Sequence, residues 1–128
     1  MPRHQKPSQD SQSFEIAFFE NVLRYSPDFI EAMVALAELY TKEGQHEKGL
    51  ALDLRLVQLR PHEPVILYNL ACSLSLVNDV AGAFEAMKRA VANGYVDFDH
   101  LEKDRDLLNL LTDVDFQEYY RTVKGPGK

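Results

Sequence analysis

The sequence predicts an all-α fold built from antiparallel helix pairs that repeat along the chain. The main observation is an internal repeat: when the chain is shifted by 34 residues, small residues fall on small ones and large apolar residues on large apolar ones. Matched positions include Pro27 with Pro61, Leu36 with Leu70, Ala37 with Ala71, and Gly44 with Asn78. Apolar residues also recur at helical spacing between turn formers, and no segment alternates with the period of two that a strand requires.

The first predicted helix pair begins at Asp28 and Glu31, whose spacing is that of a capping box. Its first helix should end at Gly44, because glycine readily adopts the left-handed conformation that closes a helix. Its second helix should run from about residue 46 to residue 60, since Pro61 cannot continue it.

The second predicted pair opens with Pro64, which is well tolerated in the first turn of a helix. This helix should reach the turn formed by Asn78 and Asp79. Its partner should span residues 80–92 and end at Gly94.

The two pairs resemble tetratricopeptide repeats, whose pattern of W-x2-L-G-x2-Y, then A-x3-F, then P extends over 34 residues. The first copy has Met33, Leu36, Ala37, Tyr40, Gly49, Asp53 and Pro61 at these positions, and the second has Leu67, Leu70, Ala71, Leu74, Ala83 and Met87. Asp53 stands where an aromatic residue is usual, and Tyr95 stands where the second proline would fall. The resemblance covers about residues 13–94 and implies an α-solenoid that winds as a right-handed superhelix.

The repeats predict the organisation of the chain. We expect a repeat domain over residues 13–123 between a disordered basic and polar tail at 1–12 and a second disordered tail at 124–128. The domain should contain a half repeat at 13–27, a full repeat at 28–61, a second repeat at 62–94 and degenerate capping helices at 95–123. The last segment resembles one that follows the final repeat in many bacterial members of the family.

Charge and composition exclude several classes of partner. The formal net charge is −6, and residues 97–118 hold eight acidic and two basic residues, so this surface would repel nucleic acid. We interpret the acidic run as the outer face of the cap, with a docking surface for a basic partner as the alternative. No apolar run approaches the roughly 20 residues of a membrane helix, and no apolar signal region is present. A single cysteine, Cys72, is consistent with the cytoplasm.

The sequence contains no recognisable catalytic or metal-binding motif. The four histidines are scattered and have no ligand spacing, and Cys72 lies among apolar residues with no histidine nearby. Phosphate-binding loops and hydrolase motifs are absent. We therefore expect no enzymatic activity, no metal and no cofactor.

The family resemblance implies that function lies on the concave face formed by the first helix of each repeat. That face would present Val34, Glu38, Lys42, Val65, Tyr68, Asn69, Cys72 and Leu76. We expect it to bind a peptide or helix of another protein, and we expect Tyr68 and Asn69 to contribute to binding but not to stability. Members that grip a C-terminal carboxylate carry an asparagine where this chain has Glu38 and a lysine where it has Asp99. Both acidic side chains would repel a carboxylate, so we do not expect the chain to bind that ligand.

The chain is therefore predicted to be a small cytoplasmic adaptor or scaffold that binds another protein. The alternative is a structural or oligomerisation module with no groove ligand, and an enzyme is the third and weakest interpretation. The partner, its motif and its pathway cannot be read from the sequence.

The alternative rests on the helix predicted from Ser13 to Tyr25, whose first-helix partner is missing. Its apolar residues form two arcs on a helical projection, one with Phe14, Phe18, Val22 and Tyr25, the other with Ile16, Phe19 and Leu23. Together they are about twice as wide as the stripe that one core-facing helix needs. One arc should pack on the next helix and the other should stay exposed. A homodimer through Phe14, Phe18, Phe19 and Val22 would cover the exposed arc. The alternatives are that the helix or the preceding tail bends back over it, or that a different protein covers it.

Overall fold

The computed structural model describes the backbone of residues 7–125 and the side chains of residues 12–125. This part of the chain is helical and contains no strand, so the predicted all-α class of paired helices is confirmed. The chain divides into two compact units after Leu59, close to the boundary predicted between the two full repeats.

The first unit contains three helices, α1 (Pro7–Tyr25), α2 (Ile30–Lys42) and α3 (His46–Leu59), with α1 and α3 both packed against α2. Its buried residues come mainly from α2 and include Met33, Leu36, Ala37 and Tyr40, with Leu56 from α3. Gly44 between α2 and α3 has a φ of +79°, the left-handed stop that the sequence predicts.

Two expectations for this unit are wrong in detail. Asp28 does not cap α2, because the helix begins at Ile30 and the carboxylate forms an ion pair with Arg55 at 2.5 Å instead. The first helix begins at Pro7 and not at Ser13, so residues 7–12 are helical where a disordered tail is predicted. A proline favours the first turn of a helix, which accounts for the earlier start. Residues 1–6 of that tail lie outside the described residues.

The second unit begins with the pair α4 (Pro64–Leu76) and α5 (Val80–Ala92), which pack against each other along their length. Small residues allow this approach, since Ala71, Ala83 and Ala90 are fully buried, as are the larger Leu67 and Met87. Asn78 has a φ of +66° in the turn, and Asp79 caps α5 by accepting a hydrogen bond from the backbone N–H of Gly82 at 3.0 Å.

The capping segment consists of α6 (Phe98–Lys103), a 3₁₀ turn (Arg105–Leu107), α7 (Leu108–Leu111) and α8 (Val114–Lys124). It is held by buried apolar residues and by aromatic contacts between α5 and α8, with the Phe84 and Phe116 ring centroids 5.6 Å apart. The disordered tail predicted from residue 124 begins too early, because Lys124 is the last residue of α8. Residues 126–128 of that tail lie outside the described part of the chain.

Much of the acidic run in this segment has a structural role. The carboxylates of Asp97, Asp104 and Asp113 accept hydrogen bonds from backbone N–H groups at the starts of α6, the 3₁₀ turn and α8. Glu102 accepts hydrogen bonds from Tyr120 and Lys124 of α8, and these bonds hold the pKa of Glu102 below its usual value. Short helices need many caps, so a segment of short helices is rich in acidic residues.

Candidate functional site

A cavity of about 430 Å³ lies in the second unit, between the first half of α4, the loop after α5, and α6. Val65, Tyr68 and Asn69 share one face of α4 because they are three and four residues apart. Gly94, with a φ of +111°, ends α5 and turns the chain back across this face. The residues that line the cavity are Pro64, Val65, Tyr68, Asn69, Gly94, Tyr95, Val96, Asp97 and His100.

Tyr68 forms one wall of the cavity and is otherwise buried, with 3% of its surface exposed. Its ring stacks on the ring of Tyr95, and its hydroxyl donates a hydrogen bond to Asp104 Oδ2 at 2.7 Å. Burial raises the pKa of the Tyr68 phenol far above its ordinary value, and the hydrogen bond to Asp104 adds to the effect. Tyr68 is therefore a neutral hydrogen-bond donor in the folded protein.

Asp104 is the acceptor on which several side chains of the second unit converge. Besides the Tyr68 hydroxyl, Oδ2 accepts from the Cys72 thiol at 3.6 Å and lies 3.4 Å from Nε2 of His100. The other carboxylate oxygen accepts from the backbone N–H of Asp106 at 3.1 Å. The bonds from Tyr68 and Cys72 fasten the segment after α5 to α4, because these two residues belong to α4 and Asp104 directly follows α6.

The cavity offers an apolar surface with few polar groups. Val65 and Val96 are 58% and 77% exposed at its edge. The half-buried side chain of Asn69 makes no hydrogen bond within the described residues. Asp97 is exposed although it caps α6, and its carboxylate retains the capacity to accept further hydrogen bonds. Such a surface can bind an apolar group and orient it through an amide and a carboxylate.

The described residues show no arrangement for metal binding, since nowhere in them do three or more His, Cys, Asp or Glu side chains converge in a way that could hold an ion. Cys72 is buried beside Asp104 and does not line the cavity. Helices of the length and apolar character needed to cross a bilayer are also absent from this part of the chain.

The predicted groove residues fall into three groups. Val65, Tyr68 and Asn69 line the cavity together. Cys72 and Leu76 lie further along α4 and are not part of its lining. Val34, Glu38 and Lys42 belong to α2 in the first unit, where Val34 is half-buried and the two charged residues are exposed.

One expectation about this site is wrong. Tyr68 is predicted to be dispensable for stability, but its ring is buried against Tyr95 and its hydroxyl is bonded to Asp104. The repeat pattern does not reveal this role because the two partners of Tyr68 belong to the degenerate segment after the repeats.

The sequence reasoning missed the other side of the cavity, formed by Tyr95, Val96, Asp97 and His100. One signal was available, since Tyr95 occupies the position where the second copy lacks its proline. An aromatic residue there, directly after the turn-forming Gly94, marks a chain that turns back onto the repeat and does not begin another one.

A second apolar surface lies on α1 of the first unit. Phe14, Phe18 and Tyr25 are 74%, 54% and 80% exposed, whereas Val22 is half-buried. The other arc, with Ile16, Phe19 and Leu23, is half-buried, and α1 packs on α2. The structure thus agrees with the prediction that one arc is covered and most of the other is exposed. We call Phe14, Phe18 and Tyr25 the α1 patch.

Comparisons with known proteins give relatives for part of the chain. No protein-family profile matches it. It is 31% identical over 80 residues to a chloroplastic protein and 36% identical over 72 residues to Protein CTR9 homolog, both of Arabidopsis thaliana. These matches cover 60% and 56% of this chain. The chain spans only 24% and 6%, respectively, of the length of these two relatives.

Among solved structures, the fold is similar to that of MamA, residues 41 to the end, from Desulfovibrio magneticus RS-1. The TM-score is 0.62 with 18% sequence identity, over 91% of this chain and 70% of that one. MamA is a tetratricopeptide-type protein, and both plant relatives contain such repeats. The predicted resemblance is therefore confirmed at the level of the fold.

Proposed function

This chain has the tetratricopeptide-repeat fold, and we propose that it is a protein–protein interaction module that binds a peptide or helix of a partner on the face of α4. The residues that would contact the partner are Val65, Tyr68 and Asn69, together with the cavity residues from the loop after α5. The remaining groove residues predicted from the sequence, Val34, Glu38, Lys42, Cys72 and Leu76, stay predictions.

The observation that carries this proposal is the composition of the cavity lining. An aromatic wall and two exposed valines surround an amide that has no hydrogen bond within the described residues. Ligand sites typically combine an apolar surface with a few polar groups that fix orientation. The similarity to MamA supports the fold on which such a site is built.

Site-specific photo-crosslinking tests the proposal. A photoreactive phenylalanine analogue at Val65 should give a defined covalent adduct with another protein in an extract of the source organism. The matched control places the same analogue at Val114 of α8, which is similarly exposed but lies outside the cavity. Equal labelling from both positions, or no adduct from Val65, would contradict the proposal.

The second candidate is a structural module that self-associates through the α1 patch. Its support is the exposure of Phe14, Phe18 and Tyr25, since exposed clusters of large apolar side chains usually mark an interface. A cytoplasmic location and the absence of enzymatic activity, cofactors, nucleic-acid binding and membrane binding stay predictions of the sequence.

A further inference from the structure

We propose that the cavity beside α4 selects a partner segment in which an aliphatic side chain is accompanied by a lysine or arginine. This inference rests on the proposed function, because it specifies the segment that the same site binds. It is carried by the distribution of apolar surface and charge around the cavity.

The apolar part of the cavity fits an aliphatic side chain. Pro64, Val65 and Val96 present carbon atoms at the edge, and the stacked rings of Tyr68 and Tyr95 form a rigid wall. The volume of about 430 Å³ lies within the range of ordinary ligand sites and exceeds that of a single side chain. The stacked rings lose little freedom when a ligand binds, because their own contact already fixes them.

The charged part of the site is acidic. Asp97 is an exposed lining residue, and exposed Glu63 directly precedes the lining residue Pro64. The lining, which lies entirely within the described residues, contains no lysine or arginine. A cationic side chain next to the bound aliphatic group would therefore meet a carboxylate, and an acidic one would be repelled.

Asn69 offers a hydrogen-bonding partner to the backbone of the bound segment. Its amide is half-buried at the cavity and can donate and accept hydrogen bonds, as a peptide group requires. Asn69 does not distinguish one sequence from another. Selectivity is therefore assigned to the valines and to Asp97.

Selection from a random peptide library displayed on phage tests this inference with the whole chain as bait. We expect enriched peptides to share an aliphatic residue within a few positions of lysine or arginine. Enriched peptides that are acidic or uncharged would overturn the inference and leave the proposed function standing. If no peptide is enriched, the proposed function fails as well.

Variants of the cavity then locate the binding of the selected peptide. Val65→Ser should weaken it about three- to tenfold, because the change removes apolar surface at the edge of the cavity. Asp97→Asn should weaken it about two- to fivefold while preserving the helix cap, because asparagine also caps helices.

The matched controls lie on α8, outside the cavity. Val114→Ser removes a valine that is also exposed, and Asp113→Asn changes another N-cap aspartate, so both should leave affinity unchanged. An unchanged affinity for Val65→Ser would place the peptide elsewhere, for example on the α1 patch, and overturn the inference. If Asp97→Asn and Asp113→Asn have equal effects, the assigned role of Asp97 is wrong.

Discussion

The ring of Tyr68 lies flat on the ring of Tyr95, with centroids 4.4 Å apart and the ring planes inclined by 14°. This pair joins α4 to the loop that follows α5, at the point where the repeat pattern ends. The same ring forms a wall of the candidate site, so Tyr68 contributes both to the core and to the proposed binding surface.

Replacing Tyr68 should therefore destabilise the protein. We expect Tyr68→Ala to lower the free energy of unfolding by about 3–5 kcal/mol, as for other buried aromatic residues. Tyr68→Phe keeps the stacking and loses the hydrogen bond to the Asp104 carboxylate, which should cost about 1.5–3 kcal/mol. Urea unfolding measures both effects. The control is Tyr25→Ala, at a residue that is 80% exposed, which should change stability by about 0.5 kcal/mol or less. Equal stability of Tyr68→Ala and wild type would restore the sequence-based expectation.

The two repeat turns provide a matched pair of backbone positions. Gly44 and Asn78 are 34 residues apart and have φ angles of +79° and +66°. Gly44→Ala and Asn78→Ala should each cost about 1–2 kcal/mol, because alanine is strained in this conformation. Gly44→Asn and Asn78→Gly should each keep the free energy of unfolding within about 0.5 kcal/mol of wild type, since glycine and asparagine both tolerate the left-handed conformation. Thermal or urea unfolding tests the set, and an alanine variant as stable as its asparagine or glycine counterpart would contradict the reasoning.

The two arcs of α1 should respond differently to an introduced charge. Phe18→Glu changes the exposed α1 patch, so the protein should stay folded and lose self-association. Phe19→Glu changes the half-buried arc and should destabilise the first unit. Ala17→Glu, at an exposed position outside both arcs, is the control for added charge. Sedimentation and circular dichroism separate the outcomes. A wild-type chain that remains monomeric at high concentration would exclude the dimer.

Stability of the first unit should fall in alkaline solution. Burial and a hydrogen bond to Glu20 raise the pKa of Tyr40 to about 12, whereas an unfolded tyrosine titrates near 10. In the folded state Tyr40 keeps its proton to a higher pH than in the unfolded state. The contribution of Tyr40 to the free energy of unfolding is therefore fully present below pH ~10 and is lost as the pH rises to about 12. The difference in stability between wild type and Tyr40→Phe should shrink over that interval. A difference that stays constant with pH would show that Tyr40 does not titrate with folding.

Helix boundaries that depend on a single residue could be predicted from the sequence, whereas contacts between residues far apart in the chain could not. Gly44, Pro64 and Gly94 mark helix boundaries through backbone geometry that each residue carries by itself. Asp28 has the right spacing for a cap, but its carboxylate is occupied by Arg55, which is 27 residues away. The α4 half of the cavity followed from the repeat pattern. The other half comes from a degenerate segment, where Tyr95 replaces the proline that the first copy has at Pro61, so the repeat pattern does not predict it.

Cys72 is the single cysteine of the chain and lies buried on α4. Its thiol contacts Asp104, which belongs to the segment that packs on α4. Because Cys72 is only 8% exposed, we expect an alkylating reagent to reach its sulfur mainly when the segment after α5 lifts away from α4. The rate of thiol modification under native conditions therefore reports how often the 3₁₀ turn detaches, with no label introduced. Comparing this rate with that of global unfolding would distinguish local opening from complete loss of structure. A bound ligand that bridges α4 and the loop after α5 would slow the modification in proportion to its occupancy.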